Sequence, residues 1–150
     1  MHALIPGSFD PVTVGHLDII RRAAALFSSV TVAVCDNVEK RFMFSAEERL
    51  RFLKQAVAPL SNVTAIIAEG WAADATRRHG ADLIVKGLRG GVDFEYENQI
   101  AQANKTVCGL ETLFLPSSPQ HSAVCSAAVR EMIRCGKDFS LYVPEGVTIF

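Results

Sequence analysis

The sequence predicts a single α/β domain built on a parallel, doubly wound sheet. Three observations carry this expectation. Short apolar or β-branched runs alternate with helical periodicities along the whole chain. The connections between them are short. Glycine, proline, histidine and cations gather directly after the apolar runs. At 150 residues, 49% apolar and 21% charged, the chain has the material for one buried core and not the composition of a disordered segment.

The elements follow in order. Ala3–Ile5 is a brief apolar strand that meets Pro6-Gly7. Residues 16–27 have helical spacing, with Leu17, Ile20, Ala24 and Phe27 on one face. Val30–Cys35 is β-branched and predicts a buried strand. Ser45 and Glu48 form a capping box before Leu50, Leu53 and Val57 at helical spacing. Val63–Ala68 predicts a strand, and Trp71–His79 a short helix stopped by Gly80. Leu83–Lys86 predicts a strand, and Asp93–Val107 a helix with Tyr96, Ile100, Ala103 and Val107 on its apolar face. Thr112–Leu115 is the fifth strand, and Ser126–Arg134 a helix stopped by Gly136. Five β-α units imply five parallel strands with helices on both faces, a Rossmann-like sheet in one domain over residues 1–150. Ligands of such sheets bind beyond the carboxyl ends of the strands, which directs attention to 6–16, 36–44, 69–72, 86–91 and 116–126.

Composition excludes several classes. A formal net charge of −1 offers no basic field for nucleic acid. The four cysteines, at 35, 108, 125 and 135, have neither C-x-x-C nor zinc spacing, which fits reduced thiols in a cytoplasmic protein. The start MHALIPGSFD lacks the charged and apolar regions of a signal peptide. No apolar run reaches the roughly 18 residues of a membrane span, so no membrane partner is expected.

Pro6-Gly7-Ser8-Phe9-Asp10-Pro11-Val12-Thr13-Val14-Gly15-His16 follows a strand and enters a helix. Gly7 allows a tight turn, Asp10 is extended because Pro11 follows it, and the helix start favours an anion. Thr13 and His16, three apart, can face one ligand. Lys86 and Arg89 flank Gly87-Leu88 just after a strand, a good place for phosphate oxygens. Lys40 lies in the loop after the second strand. Asp93, Glu95 and Glu97 open a helix, where acids suit the macrodipole, and one of them can instead meet a ribose hydroxyl or an amine. Ser126 stands where it can cap the last helix or donate to a phosphate.

PGSFDPVTVGH, KGLRGGVDFEYE, Asn104 and the Met43–Arg49 stretch MFSAEER together resemble bacterial phosphopantetheine adenylyltransferase, of the nucleotidyltransferase superfamily with an H-x-G-H-type motif. Here that motif is Thr13-x-Gly15-His16, and the resemblance runs from about residue 3 to about 144. It implies joining ATP and 4′-phosphopantetheine to give dephospho-CoA and pyrophosphate, by direct attack of the acceptor phosphate on the α-phosphate. It further implies Mg²⁺ held mainly by substrate phosphates with no protein metal site, a homohexamer, and coenzyme A as a feedback inhibitor. Carried over by position, Ser8 and Phe9 meet ATP, Ser8 also meets the acceptor phosphate, and His16 contacts the α-phosphate. Lys40 and Lys86 hold acceptor phosphates, while Gly87, Leu88, Arg89 and Glu97 line the ATP site. His16, Lys40 and Arg89 form the catalytic set. Ala72 and Asn104 lie along the pantetheine arm. His121, Ser122, Ala123, Val124, Cys125, Ser126 and Ala127 match the loop over the triphosphate.

The chain departs from the family's commoner pattern at Lys86, where many members have Arg, at the smaller Ala72, and at His121, Cys125 and Ala127. Two rivals stand beside this expectation. Relatives that use glycerol phosphate or nicotinamide mononucleotide usually carry His at the Thr13 position and an I-S-T-S-like segment where this chain has Val124-Cys125-Ser126-Ala127. A nucleotide- or CoA-binding regulatory module is the other, and it has no need of His16.

Overall fold

The computed structural model describes residues 1–36 and 40–150. Its strands are β1 (His2–Gly7), β2 (Ser29–Cys35), β3 (Val63–Ala68), β4 (Leu83–Leu88) and β5 (Glu111–Pro116). Its helices are α1 (Val14–Leu26), α2 (Ala46–Val57), α3 (Ala72–Arg78), α4 (Gly91–Cys108) and α5 (Ser126–Arg134), with a 3₁₀ turn at Pro119–His121. The strands make one sheet in the order β3-β2-β1-β4-β5, every neighbouring pair parallel.

Strand alternation sorts the core into two layers. Ala3 and Ile5 of β1, Val30, Val32 and Val34 of β2, and Leu83 and Val85 of β4 pack with Ile20, Ala23, Phe52, Leu53 and Val129 of α1, α2 and α5. Leu4 and Ala33 point to the opposite face, against Ala75 of α3. Ala73 of α3 meets Cys108 and Leu110 at the end of α4 on that side. The chain therefore winds outward from β1 to β3 under one layer of helices. It then crosses back to β4 under the other. The order reverses between β1 and β4, where ligands bind in doubly wound sheets.

That switch point is also where the sheet is least paired. β1 matches β2 over six rungs, from His2↔Ser29 to Gly7↔Val34. It matches β4 at two, Ala3↔Leu83 and Leu4↔Ile84. Beyond Leu4 and Ile84 the central strands part, and a crevice opens between their carboxyl ends. Gly87 lets β4 run close to α1 there, since a Cβ would stand 2.9 Å from Ile19 Cγ1.

Helix α4 corrects one sequence expectation. Tyr96 and Val107, expected on its packed apolar face, are 61% and 66% exposed. The buried residues are Asn104 and Cys108. α4 lays the row Glu97, Ala101, Asn104 and Cys108 inward, and the first three line the crevice. Polar residues are tolerated inside because that face borders a cavity. Helix α2 likewise buries Arg49 beside Phe52, Leu53, Ala56 and Val57.

Candidate active site

The turn from Pro6 to His16 is held from within. Phe9 has a φ of 49°, an uncommon left-handed conformation for a non-glycine residue. Its ring is buried over Gly7, where a Cβ would stand 2.9 Å from the ring. The ring also meets the His16 imidazole at 5.1 Å in an edge arrangement. Thr13 is the N-cap of α1 and its hydroxyl accepts from the His16 backbone N–H at 3.3 Å. In return the Thr13 N–H donates to His16 Nδ1 at 3.0 Å. This is a capping box with histidine in the place usually taken by Glu or Gln. The Thr13 hydroxyl is thus engaged with His16, and both residues line the crevice, as the sequence spacing suggested.

A buried arginine ties this turn to the next strand end. Arg49 is 1% exposed. It donates from Nε to the Phe44 carbonyl (3.1 Å) and from Nη1 to the carbonyls of Ser8 (2.9 Å) and Cys35 (3.2 Å). From Nη2 it donates to Asp36 at 2.6 Å. Its guanidinium lies 3.9 Å from the centre of the Phe42 ring. Asp10, 3% exposed, accepts from the Met43 and Phe44 N–H groups at 2.9 and 3.0 Å. The loops after β1 and β2 are thereby one hydrogen-bonded unit.

The cations of the β4 loop are paired, and the partners come from α4. Lys86 Nζ lies 3.1 Å from Glu97 Oε2, too poorly aligned for a hydrogen bond and so a chiefly coulombic contact. Arg89 donates from Nε to Asp93 Oδ2 at 3.0 Å, and the Arg89 N–H reaches the same oxygen at 3.2 Å. That hydrogen bond raises the Arg89 pKa and lowers that of Asp93. Acids of the first turns of α4 thus hold these cations in place. Lys40 lines the crevice and makes no ion pair with a described residue.

The crevice has a volume of about 980 Å³ and brings most of the sequence-predicted residues together. Ser8, Phe9 and His16 line it from the first turn, and Lys40 from the second. Lys86, Gly87 and Arg89 line it from β4 and its loop, Glu97 and Asn104 from α4, and Ala72 from α3. His121, Val124, Cys125, Ser126 and Ala127 close one side. Leu88 and Ala123 do not line it, and Ser122 borders a shallower hollow beside Arg89. Leu88 instead accepts the Ser117 N–H at 2.7 Å. Ser126 is not the cap of α5, a position held by Cys125; its hydroxyl donates to the Pro11 carbonyl at 2.8 Å.

Comparison with known proteins places the chain in a family. The cytidylyltransferase-like family model matches residues 4–132. A phosphopantetheine adenylyltransferase of Rubrobacter xylanophilus is 49% identical over 146 residues, covering 97% of this chain and 89% of its own. One of Flavobacterium psychrophilum is 44% identical over 147 residues, covering 98% and 97%. The chain belongs to the phosphopantetheine adenylyltransferase family. A solved structure from Vibrio parahaemolyticus, named for nicotinate-nucleotide adenylyltransferase, shares the fold with a TM-score of 0.68 at 19% identity, over 97% of this chain and 88% of that one.

In this phosphopantetheine adenylyltransferase family member, His16 is electrostatically set. Burial in the crevice, then the charges of Arg89 and Lys86, lower its pKa from 6.5 to about 4. The ring is neutral at pH 7. Because Nδ1 accepts from Thr13, the proton sits on Nε2, which is left to donate to a ligand. A linkage follows. Between about 6.5 and 4 the unfolded chain binds a proton that the folded chain refuses, so the His16 contribution is complete above pH 6.5 and lost as pH falls towards 4. Urea unfolding at pH 7 and 4.5 should show a smaller acid loss for His16→Gln than for the parent chain. An equal loss would place the titration elsewhere.

Other members of the site were not singled out from sequence. Arg130 lines the crevice and donates to the Asp10 carbonyl at 2.8 Å. Its signal was the spacing of four from Ser126, one turn along α5. Trp71, Ile100 and Thr112 also line the crevice, and no local pattern marked Thr112.

Proposed function

We propose that the chain transfers the adenylyl group of ATP to the phosphate of 4′-phosphopantetheine. The products are dephospho-CoA and pyrophosphate, and this is the penultimate step of coenzyme A synthesis. The observation that carries the reading is the neutral His16, fixed as an Nε2 donor at a helix start and flanked by Lys86 and Arg89.

The acceptor phosphate needs no general base, because its second pKa of about 6 leaves it mostly dianionic at neutral pH. Attack at the α-phosphorus forms one P–O bond as the bond to pyrophosphate breaks. The task is to align two anions and stabilise charge on the α-phosphoryl oxygens. His16 Nε2–H serves a nonbridging oxygen there. Lys40 and Lys86 orient the acceptor phosphate. Arg89 exchanges Asp93 for triphosphate oxygens.

Among the described residues no three His, Cys, Asp or Glu side chains converge on a cation position. Asp93 and Glu97 face cations, and Asp10 faces backbone N–H groups. We assign Mg²⁺ to the triphosphate, whose hard oxygens suit it. The exposed apolar row Val92, Tyr96 and Val107 supports self-association, assigned here to a homohexamer. Coenzyme A carries both halves of the product and suits the same crevice as a feedback inhibitor. Four free cysteines fit the cytoplasm.

The test is pyrophosphate release with ATP, Mg²⁺ and one acceptor at a time: 4′-phosphopantetheine, glycerol phosphate or nicotinamide mononucleotide. Release with the first alone is expected. Release with another acceptor only, or ATP binding with no release from any, overturns the reading.

A further inference from the structure

The segment that carries His121 to Cys125 leaves the sheet at Pro116, where the β4–β5 ladder ends at Leu88↔Pro116. Before α5 its regular structure is the 3₁₀ turn at Pro119–His121. The Ser117 N–H still meets the Leu88 carbonyl at 2.7 Å. Beyond it the bonds turn inward. Ser122 Oγ donates to the Pro119 carbonyl at 2.9 Å, and the His121 and Val124 N–H groups donate to the Ser118 and His121 carbonyls at 2.9 and 3.0 Å. A loop without a ladder takes its place from the few groups that tie it down.

Those groups lie in a row on α1. Gly15, Asp18 and Arg22 are three and four apart and share one face of the helix. The segment runs back along that face towards the helix start. Arg22 Nη1 donates to the Pro116 carbonyl at 2.7 Å. Ser118 Oγ donates to Asp18 Oδ2 at 2.8 Å. At Gly15 a Cβ would stand 3.8 Å from His121 Cβ and from the His121 carbonyl oxygen, so the segment passes over bare backbone there. Arg22 Nη1 also reaches Asp18 Oδ2, at 3.3 Å. That ion pair is partly exposed and by itself contributes little. Its use is to hold the carboxylate where Ser118 meets it. Asp18 does not line the crevice, because two residues along a helix turn it about 200° from His16.

We propose that Asp18 is a positioning residue for the nucleotide. By anchoring Ser118 it lays His121, Val124 and Cys125 along one side of the crevice, over the triphosphate. Lys40 and Lys86, assigned to the acceptor phosphate, come from other strand ends and do not share this anchor. The proposal rests on the reading that ATP is the adenylyl donor and lies beside that segment.

Asp18→Ala should raise the KM for ATP about ten-fold, the worth of a hydrogen bond to a charged group, with the KM for 4′-phosphopantetheine unchanged. Asp18→Asn keeps an oxygen for Ser118 and should restore most of the parent KM. Ser118→Ala, which leaves α1 untouched, should raise the KM for ATP alone, and adding it to Asp18→Ala should have no further effect. Without substrate, amide hydrogen exchange at Ser117, His121 and Val124 should quicken in Asp18→Ala and Ser118→Ala, while Val32 and Val34 of β2 keep their parent rates. A parent KM for ATP in Ser118→Ala, an equal rise for both substrates, or parent exchange rates in the segment overturns the role of Asp18. Failure of the parent chain to release pyrophosphate from 4′-phosphopantetheine would instead overturn the function beneath it, and the exchange measurement, made without substrate, separates the two.

Discussion

Replacing His16 by alanine should lower kcat by a factor of about 10² or more and leave ATP affinity within a few-fold. The cations assigned above to the phosphates, Lys40, Lys86 and Arg89, remain in the variant, so ground-state binding should survive. The single neutral donor that strengthens its bond as charge builds on the α-phosphoryl oxygens is removed. Its geometry is prepared in advance by Thr13 at Nδ1 and by the Phe9 ring at 5.1 Å, so little reorganisation is needed at the moment of transfer. Steady-state pyrophosphate release and ATP calorimetry check the two halves of the expectation. A kcat near the parent value would remove His16 from the transition state, and a collapse of ATP affinity would make it a binding residue.

The second large effect concerns stability. Arg49→Met should lower the unfolding free energy by about 3–5 kcal/mol, as loss of one partner from a buried charged network does. For a domain of this size that is a fall in Tm of about 10 °C or more. Methionine fills much of the volume, so the loss isolates the hydrogen bonds. Three carbonyls, of Ser8, Cys35 and Phe44, would lose their donor at once. Calorimetric melting is the measurement. A Tm within about 2 °C of the parent would mean that water replaces the guanidinium without cost. Because Ser8 sits on the active turn, the variant should also lose turnover at temperatures where it remains folded.

The alternation of strands and helices was legible because it is local: β-branched runs, the Ser45–Glu48 box and the terminal glycines each act within a few residues. Element limits moved where backbone geometry outweighed side-chain pattern. β4 runs on through Gly87 to Leu88, beyond the apolar run, because its ladder with β5 continues to Pro116. α1 begins at Val14 because Thr13 caps it, with a histidine in the box that the usual pattern does not include. The inward face of α4 was misjudged, because apolar periodicity finds faces that meet a core, and this helix faces a cavity. The active crevice was legible as a set of strand-end segments. Arg49, Asp10 and Thr112 were not, since their roles depend largely on residues far along the chain, up to 120 positions away, or on a cavity with no sequence signature.

The parting of β1 and β4 after two rungs has a thermodynamic consequence. The domain is stitched loosely along the line to which its ligands are assigned. A molecule that spans from Ser8 and His16 on one side to Lys86 and Arg89 on the other acts as a cross-link between the two halves of the sheet. Occupancy and cohesion then become a single linked quantity. At ligand concentrations about 100 times Kd, binding adds roughly 2.7 kcal/mol to the folded state. The protein should therefore be most resistant to unfolding when its crevice is filled, and the seam to which the substrates are assigned is the one they would close.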